Sequence, residues 1–302
     1  MTRLLVVTNP AAGGAADLAV QRALTVLRAA ADVKVASTSS SAELDDVLSA
    51  ADGRQPVVVG GDGSVHALVL ALYRTGMLDS APPVGLIPLG TGNDLARTAG
   101  IPLDPMAAAK VILDGHHRGM ELLVDDAGGV VVNAVHLGVG AEAARAASRW
   151  KRRLGKAAYA VGSVVAGVST AGWRLHVEAD GEVLVTMDRR VLMVGLGLGS
   201  SIGGGSPLAP FANLDDGLVD VVISFAVGPV ARLAYAVHLH RGAHVHRPDV
   251  RLIRAKQVVV SGEPFPYNAD GEIGGPVRRR EWTVLKDAWR LCVPPPAEPP
   301  RS

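Results

Sequence analysis

The stretch VVVGGDGS at residues 57–64 decides the fold of this chain, and a second stretch, VGLIPLGTGND at residues 84–94, has the same pattern. In each, a short apolar run typical of a buried strand leads into a glycine-rich turn and then a helical pattern. Glycines let the main chain approach an anion closely, and the N-terminus of the following helix supplies N–H groups and partial positive charge. The two stretches therefore predict phosphate-binding loops in an α/β protein.

Each loop also contains an aspartate, which a site for an anion alone would avoid. Asp62 and Asp94 make sense if a divalent cation lies between a carboxylate and a phosphate. The alternative is an ordinary turn in which Ser64 caps the first helix and Asn93 or Asp94 caps the second. Because the two loops occur in one unit, together they are more specific than either alone. They favour a nucleotide-handling enzyme.

Length and composition limit the class of protein. A chain of 302 residues with 48% hydrophobic residues can fold into two domains. Thirty Lys and Arg against 29 Asp and Glu leave a formal charge of +1, so the charge does not indicate a nucleic-acid partner. The lone Cys292 fits a reducing compartment, and we find no convincing signal peptide or membrane-spanning segment. We expect a cytoplasmic protein that can contact the inner membrane face at its periphery.

The first 120 residues alternate apolar runs with helical patterns. The predicted strands are at 4–8, 33–36, 57–59 and 84–87, and the predicted helices are at 17–31, 42–51, 65–74, 94–99 and 105–114. Single helices between strands indicate a parallel sheet with right-handed crossovers. The ligands of such a sheet lie beyond the carboxyl ends of its strands, where the glycine-rich loops would gather.

Beyond residue 120 the pattern changes to short β-rich runs separated by turns. The runs are at 130–133, 175–178, 191–194, 219–222 and 258–260, and helical patterns at 142–170 and 229–241 interrupt them. This indicates a mostly antiparallel β domain. We expect an α/β domain at 1–122, a β domain at 123–293 and a disordered proline-rich tail at 294–302.

Several further segments are ambiguous when read alone. The loop NPAAGG at 9–14 is a common turn, NADGE at 268–272 is a good β-turn, and LDDGLVDV at 214–221 suggests a capped turn or a metal loop. The basic segment at 145–156 is either a solvated helix face or a surface for anionic lipid headgroups. Four histidines at 238–246 invite a zinc interpretation, which the lack of nearby cysteines disfavours.

The motifs in their order resemble the diacylglycerol kinase catalytic family. The resemblance rests on NPAAGG, GGDGS, PLGTGND, the GGG…AP…LDDGLVDV stretch and the terminal DGE, and it covers nearly the whole chain. It implies an ATP-dependent lipid kinase that uses Mg²⁺. It also implies an α/β nucleotide-binding domain, similar to those of NAD kinase and phosphofructokinase, joined to a β-sandwich lipid-binding domain. The active site would lie in the cleft between the two domains.

The resemblance also implies a role for individual residues. The nucleotide contacts would be Asn9, Thr38 (or Ser37 if the alignment slips), Gly60, Gly61, Asp62, Gly63, Ser64 and Thr91. Asp62 and Asp94 would position catalytic Mg²⁺. Asp270 and Glu272 would be an acid pair, one the general base for the lipid hydroxyl and the other orienting it. Asp216, with the main-chain carbonyls of Asn213 and Leu218, would hold a structural Mg²⁺.

The chain departs from the family pattern at four positions. Ser64 stands where Thr is usual, and His66 and Ala67 stand where Asn and Glu are frequent. Glu121 replaces an Asp that often joins the Mg²⁺ network, which puts that contact in doubt.

Two other functions remain open at this point. An NAD kinase shares a GGDG loop, although GTGND and the late DGE disfavour it. A nucleotide-binding lipid sensor without turnover is the non-enzymatic alternative, which the retained aspartates and Glu272 disfavour. For the kinase, we expect ATP, a lipid alcohol such as diacylglycerol and an anionic membrane surface as partners, with a homodimer as an open alternative.

Overall fold

The computed structural model describes residues 2–8, 15–138 and 171–296. Contacts within the chain divide it into two units, one formed by Met1–Glu121 with Lys286–Ser302 and the other by Leu122–Leu285. Asn9 and its loop, the basic segment at 145–156, the helical pattern at 142–170 and the tail from residue 297 lie outside the described residues.

The first unit contains a parallel four-stranded sheet, as the sequence predicts. The strands are β1 (Thr2–Thr8), β2 (Ala31–Ser37), β3 (Gln55–Gly60) and β4 (Gly85–Pro88), in the order β2-β1-β3-β4. The helices are α1 (Ala15–Arg28), α2 (Ser41–Ser49), α3 (Asp62–Arg74), α4 (Asp94–Thr98) and α5 (Pro105–Asp114). The predicted first helix runs too far, because Ala31 pairs with Thr2 and opens β2.

The core of this unit explains why its two central strands, β1 and β3, read as unbroken apolar runs. Leu4 and Val6 of β1, Val57 of β3 and Ile87 of β4 are buried in one cluster with residues of α1 and α5. Leu5 and Val58, which alternate with them along the same strands, are also buried. Strands of a parallel sheet that is covered on both faces are apolar throughout. The sequences of β1 and β3 therefore lack the alternation of apolar and polar residues that marks a half-exposed strand.

The second sheet is antiparallel and much larger, which confirms the predicted class. Its strands are β5 (His117–Asp125), β6 (Val130–Val131), β7 (Ala134–Gly138), β8 (Trp173–Ala179), β9 (Glu182–Val185), β10 (Arg190–Val191), β11 (Met193–Gly197), β12 (Val219–Ser224), β13 (Val250–Ala255), β14 (Gln257–Ala269) and β15 (Glu272–Cys292). The main path is β13-β12-β11-β7-β14-β15-β5-β6, and β8 joins β14 to β9 and β10.

One further helix, α6 (Pro229–His240), packs on a cluster of the second unit, close to the predicted 229–241. It begins with a proline after Gly228, where the fixed φ of proline suits a first helical turn. Its Tyr235 is buried in the same cluster as Leu208 and Val222. A short 3-10 helix, His244–His246, follows. Within the part of the chain that the structure describes, no helix is long and apolar enough to cross a membrane.

The half-buried His136 of β7 makes the stability of the second unit depend on pH. Burial lowers the pKa of His136 to about 4, against about 6.5 for an unfolded histidine. The unfolded chain therefore binds the extra proton first, and stability falls as the pH drops from 6.5 towards 4. Between pH 7 and pH 5 we expect His136 to cost about 1–2 kcal/mol of unfolding free energy. His136→Gln should remove that part of the loss in urea denaturation, and equal losses in both proteins would contradict this account.

Candidate active-site residues

The topology of the first unit brings the predicted loops to one edge of the sheet. The four strands are parallel, so their carboxyl ends at Thr8, Ser37, Gly60 and Pro88 share that edge. Strand β2 lies on one side of β1 in the sheet, and β3 lies on its other side. The strand order therefore reverses between β1 and β3, which makes the edge beyond these two strands the topological switch point. Ligands of open α/β sheets bind at such a point.

The two glycine-rich loops touch each other through their glycines. A Cβ on Gly61 would lie 2.8 Å from the Cα of Gly90, and a Cβ on Gly90 would lie 2.5 Å from the Cα of Gly61. Real Cβ atoms do not come this close to a main chain, so a side chain at either position would push the loops apart. These glycines therefore allow the two loops to pack directly against each other.

Asn93 closes the second loop. Its Oδ1 accepts the N–H of Gly90 at 2.9 Å, and its Nδ2 donates to the carbonyl of Gly90 at 2.8 Å. Asn93 is buried and has a left-handed backbone with φ of 53°, a conformation that asparagine tolerates better than most residues. Thr91 is left exposed at the tip of the loop.

Asp62 of the first loop holds the helix that follows the second. Its Oδ2 accepts the N–H of Asp94 at 3.1 Å, and its Oδ1 accepts the N–H of Leu95 at 3.0 Å. These N–H groups belong to the first turn of α4, where a negative charge also complements the helix dipole. The sequence analysis missed this role, because nothing local shows that residue 62 reaches residue 94.

The other predicted nucleotide residues of the described chain lie at the same edge. The side chain of Ser64 lies against Gly60, and a Cβ on Gly60 would overlap it. Gly63 is exposed, and a Cβ there would meet no atom within 4 Å. The N–H of Thr38 donates to the carbonyl of Thr8 at 3.0 Å, at the end of β1. Its rival Ser37 is the exposed last residue of β2.

Glu121, which replaces an aspartate of the family pattern, is buried in β5. The indole N–H of Trp289 donates to its main-chain carbonyl at 3.1 Å. The longer carboxylate is thus shielded from solvent.

The glycine contact generates a stability prediction with a matched control. Gly90→Ala should lower the free energy of unfolding by about 2 kcal/mol, because the new methyl overlaps the main chain of Gly61. The matched control is Gly63→Ala in the first loop. Its added methyl meets no atom within 4 Å, so the free energy of unfolding should stay unchanged or rise slightly. Urea denaturation of both variants tests this, and equal stabilities would show that the loops do not pack as described.

In the second unit, the predicted turn at 268–272 joins β14 to β15. Asp270 and Gly271 both have left-handed backbones, with φ of 49° and 98°. Two such residues between antiparallel strands form the type I′ turn that Asp-Gly favours. The Oδ1 of Asn268 accepts the N–H of Gly271 at 2.9 Å and stabilises the turn.

The carboxylate of Asp270 accepts three consecutive main-chain N–H groups. Its Oδ2 accepts from Val132 at 2.6 Å, and its Oδ1 accepts from Asn133 and Ala134 at 3.0 Å each. The N–H of Asp270 donates in turn to the carbonyl of Ala134 at 3.0 Å. Glu272, by contrast, is exposed at the first position of β15. The two acids of the predicted pair therefore have different environments.

This difference predicts different effects on stability. Asp270→Asn places an amide NH₂ among main-chain donors and should cost about 1–3 kcal/mol of unfolding free energy. Glu272→Gln changes an exposed side chain and should stay within about 0.5 kcal/mol of the wild type. Thermal and urea denaturation of the two variants provide the measurement. An Asp270→Asn protein as stable as the wild type would contradict the anchoring role.

The predicted structural Mg²⁺ site has a competing cation. The Oδ1 of Asp216 accepts the N–H of Leu218 at 3.1 Å, while its Oδ2 pairs with the guanidinium of Arg254. The Nε of Arg254 also lies 3.2 Å from Oδ1 of the buried Asp220, whose pKa burial raises to about 6. Carboxylate and carbonyl oxygens suit Mg²⁺, but a metal on this oxygen of Asp216 would have to displace Arg254. Asn213 is exposed.

Two of the histidines at 238–246 donate to main-chain carbonyls. The Nε2–H of the buried His244 donates to the carbonyl of Leu208 at 2.9 Å, and the Nδ1–H of His238 donates to the carbonyl of Ala234 at 2.7 Å. Across residues 2–8, 15–138 and 171–296, the structure brings no three His, Cys, Asp or Glu side chains into a metal-binding group.

Comparison with known proteins identifies the family. Residues 3–124 match the family described as "Diacylglycerol kinase catalytic domain", and residues 133–292 match "YegS C-terminal NAD kinase beta sandwich-like domain". The chain is 33% identical over 279 residues to "Probable lipid kinase YegS-like" of Xanthomonas campestris pv. campestris, covering 89% of this chain and 88% of that protein.

Two further comparisons agree with these matches. The chain is 30% identical over 228 residues to a "Diacylglycerol kinase" of Staphylococcus carnosus, covering 72% of this chain and 70% of that protein. Its fold matches the crystal structure of a diacylglycerol kinase from Bacillus anthracis str. Sterne with a TM-score of 0.77 and 22% identity, covering 97% of each chain. The chain belongs to the diacylglycerol kinase catalytic family, together with the YegS-like lipid kinases.

Proposed function

We propose that the protein is an ATP-dependent lipid kinase that transfers the γ-phosphoryl group of ATP to the hydroxyl of diacylglycerol or a related lipid. The observation that carries this proposal is the contact between Gly61 and Gly90, in a chain of this family. The contact brings two glycine-rich loops together at the carboxyl edge of the sheet, where open α/β sheets in general bind their ligands.

The first of these loops would hold the phosphates. Gly61 precedes α3 without a side chain to cap it, so the first N–H groups of that helix can serve an anion. Ser64 and Thr91 would add hydroxyl donors, and Thr38 lies at the same edge. Asn9, which directly follows β1 in the sequence, would contribute its side-chain amide.

Asp62 and Asp94 would hold the Mg²⁺ that accompanies ATP. A carboxylate oxygen can accept more than one bond, so the contacts of Asp62 with α4 are compatible with a metal ligand role. When bound, Mg²⁺ offsets the negative charge of the transferred phosphoryl group. Asp216 with the carbonyls of Asn213 and Leu218 is a second proposed site, which requires Arg254 to move away.

The acid pair would activate the lipid hydroxyl. A neutral alcohol is a poor nucleophile, so a carboxylate must take its proton as the bond to phosphorus forms. We assign that task to Glu272, because it is exposed, whereas the carboxylate of Asp270 already accepts three N–H groups and positions the turn. The second unit, at 123–293, would bind the lipid, and the nucleotide domain would span 1–122.

Transfer of labelled phosphate from Mg²⁺-ATP tests the proposal. The acceptors are a panel of lipid alcohols in mixed micelles, with NAD included because the second family match names an NAD kinase-like domain. The wild type should label lipid, and Glu272→Gln should lose at least ~100-fold of that rate while keeping its stability. Glu182→Gln changes another exposed glutamate, on β9; it is the matched control and should keep full activity.

Two results would contradict the proposed function, and a third would contradict only the role of Glu272. Labelled NAD without labelled lipid would make the protein an NAD kinase. ATP binding without any product would favour a lipid sensor. Full activity of Glu272→Gln would leave the kinase intact but remove Glu272 as the proton acceptor.

A further inference from the structure

Helix α6 is apolar on two opposite faces. Its inner face, with Ala231, Tyr235 and Leu239, packs into the core cluster of the second unit. On the opposite side, Val230 is 81% exposed, Leu233 is 70% exposed and Val237 is 43% exposed. The spacing of three and four residues puts these three side chains on one stripe, which we call the outer face of α6.

A fourth exposed apolar residue lies near the end of this helix. Phe211 is 61% exposed, and its ring packs edge-on against His246 of the 3-10 helix, with ring centroids 6.3 Å apart. Gly242, two residues past α6, lies against Pro207, in the loop that leads to Phe211. Soluble proteins tolerate single exposed apolar residues, but a cluster of large ones marks a binding surface.

The sequence around the outer face contains no acidic residue. Residues 221–248 include three Arg and four His but no Asp or Glu. Arg241 is exposed directly after the last turn of α6. The next acid, Asp249, is paired with Arg247 at 2.7 Å. Positive charge therefore flanks the outer face of α6, and the segment 221–248 supplies no carboxylate to neutralise it.

We propose that the outer face of α6 docks on the anionic lipid bilayer that contains the substrate. This inference rests on the proposed function, because it takes the acceptor to be a membrane lipid. A surface helix binds a bilayer by inserting its apolar side chains at the acyl boundary while its basic residues contact the headgroups. Leu233, Val230 and Arg241 have the types and positions for this mode of binding.

A second copy of the chain fits the same face less well. In a two-fold symmetric contact the same patch meets itself, so Arg241 and its neighbours would face one another. The segment 221–248 offers no carboxylate to pair with them. Anionic headgroups supply the missing negative charge, and each basic residue near such a surface adds about 1 kcal/mol.

Vesicle flotation without ATP tests the docking surface. The vesicles are phosphatidylcholine alone, or phosphatidylcholine with phosphatidylglycerol as the anionic lipid. The double variant Leu233→Gln/Val237→Gln should bind the anionic vesicles about tenfold more weakly than the wild type, because two apolar side chains no longer insert. The control Leu18→Gln/Val183→Gln removes residues that are 58% and 49% exposed elsewhere, and it should bind like the wild type.

The charge contribution needs its own variant. Arg241→Gln should weaken binding to the anionic vesicles about fivefold and leave binding to phosphatidylcholine alone unchanged. Equal loss on both kinds of vesicle would contradict the role of headgroup charge at this position.

The outcomes separate the docking surface from the kinase activity. Equal vesicle binding by the wild type and Leu233→Gln/Val237→Gln would overturn the docking proposal. A second result would also overturn it: the wild type is a dimer, and the double variant is a monomer that binds vesicles as well as the wild type does. A second copy of the chain would then be what covers the outer face of α6. If the double variant loses vesicle binding but phosphorylates a water-soluble short-chain diacylglycerol normally, both proposals hold. If the wild type binds vesicles but phosphorylates no lipid, the proposed function fails alone.

Discussion

The carboxylate of Asp62, which accepts the N–H groups of Asp94 and Leu95, is the interaction on which the first unit's site depends. Helix α4 has only five residues, and a helix this short has little stability of its own. Asp62 ties the start of that helix to the loop after β3, and the contact of Gly61 with Gly90 lets the two loops come close enough for this bond. The proposed phosphate site follows from this arrangement at the carboxyl edge of a parallel sheet.

The second unit uses the same kind of interaction. Asp270 accepts the N–H groups of Val132, Asn133 and Ala134, and so holds the β14–β15 turn on the bend before β7. In both units an aspartate of a family motif first stabilises a distant segment of main chain. A loss of activity on substituting Asp270 would therefore include a structural effect. Glu272 is exposed, so substituting it tests the proposed chemistry with less effect on the fold.

Local patterns predicted much of the fold and the loops of the site. Unbroken apolar runs predicted β1 and β3, and glycine spacing predicted the two loops that contact each other through Gly61 and Gly90. The sequence analysis did not predict β15, because Pro276 and exposed charges interrupt any alternation along its 21 residues. The anchoring roles of Asp62 and Asp270 were also missed, since their N–H partners lie 32–33 and 136–138 residues away. The Arg254 partner of Asp216 is likewise a product of the folded sheet.

Hydrogen exchange of the main-chain N–H groups, with and without Mg²⁺-ATP, tests the central claim most directly. The claim is that two loops coupled through Gly61, Gly90 and Asp62 form one nucleotide site. The account predicts that ATP slows exchange in residues 60–64 and 90–95 together, at the same ATP concentration. Protection of only one loop, or protection confined to other segments, would contradict it.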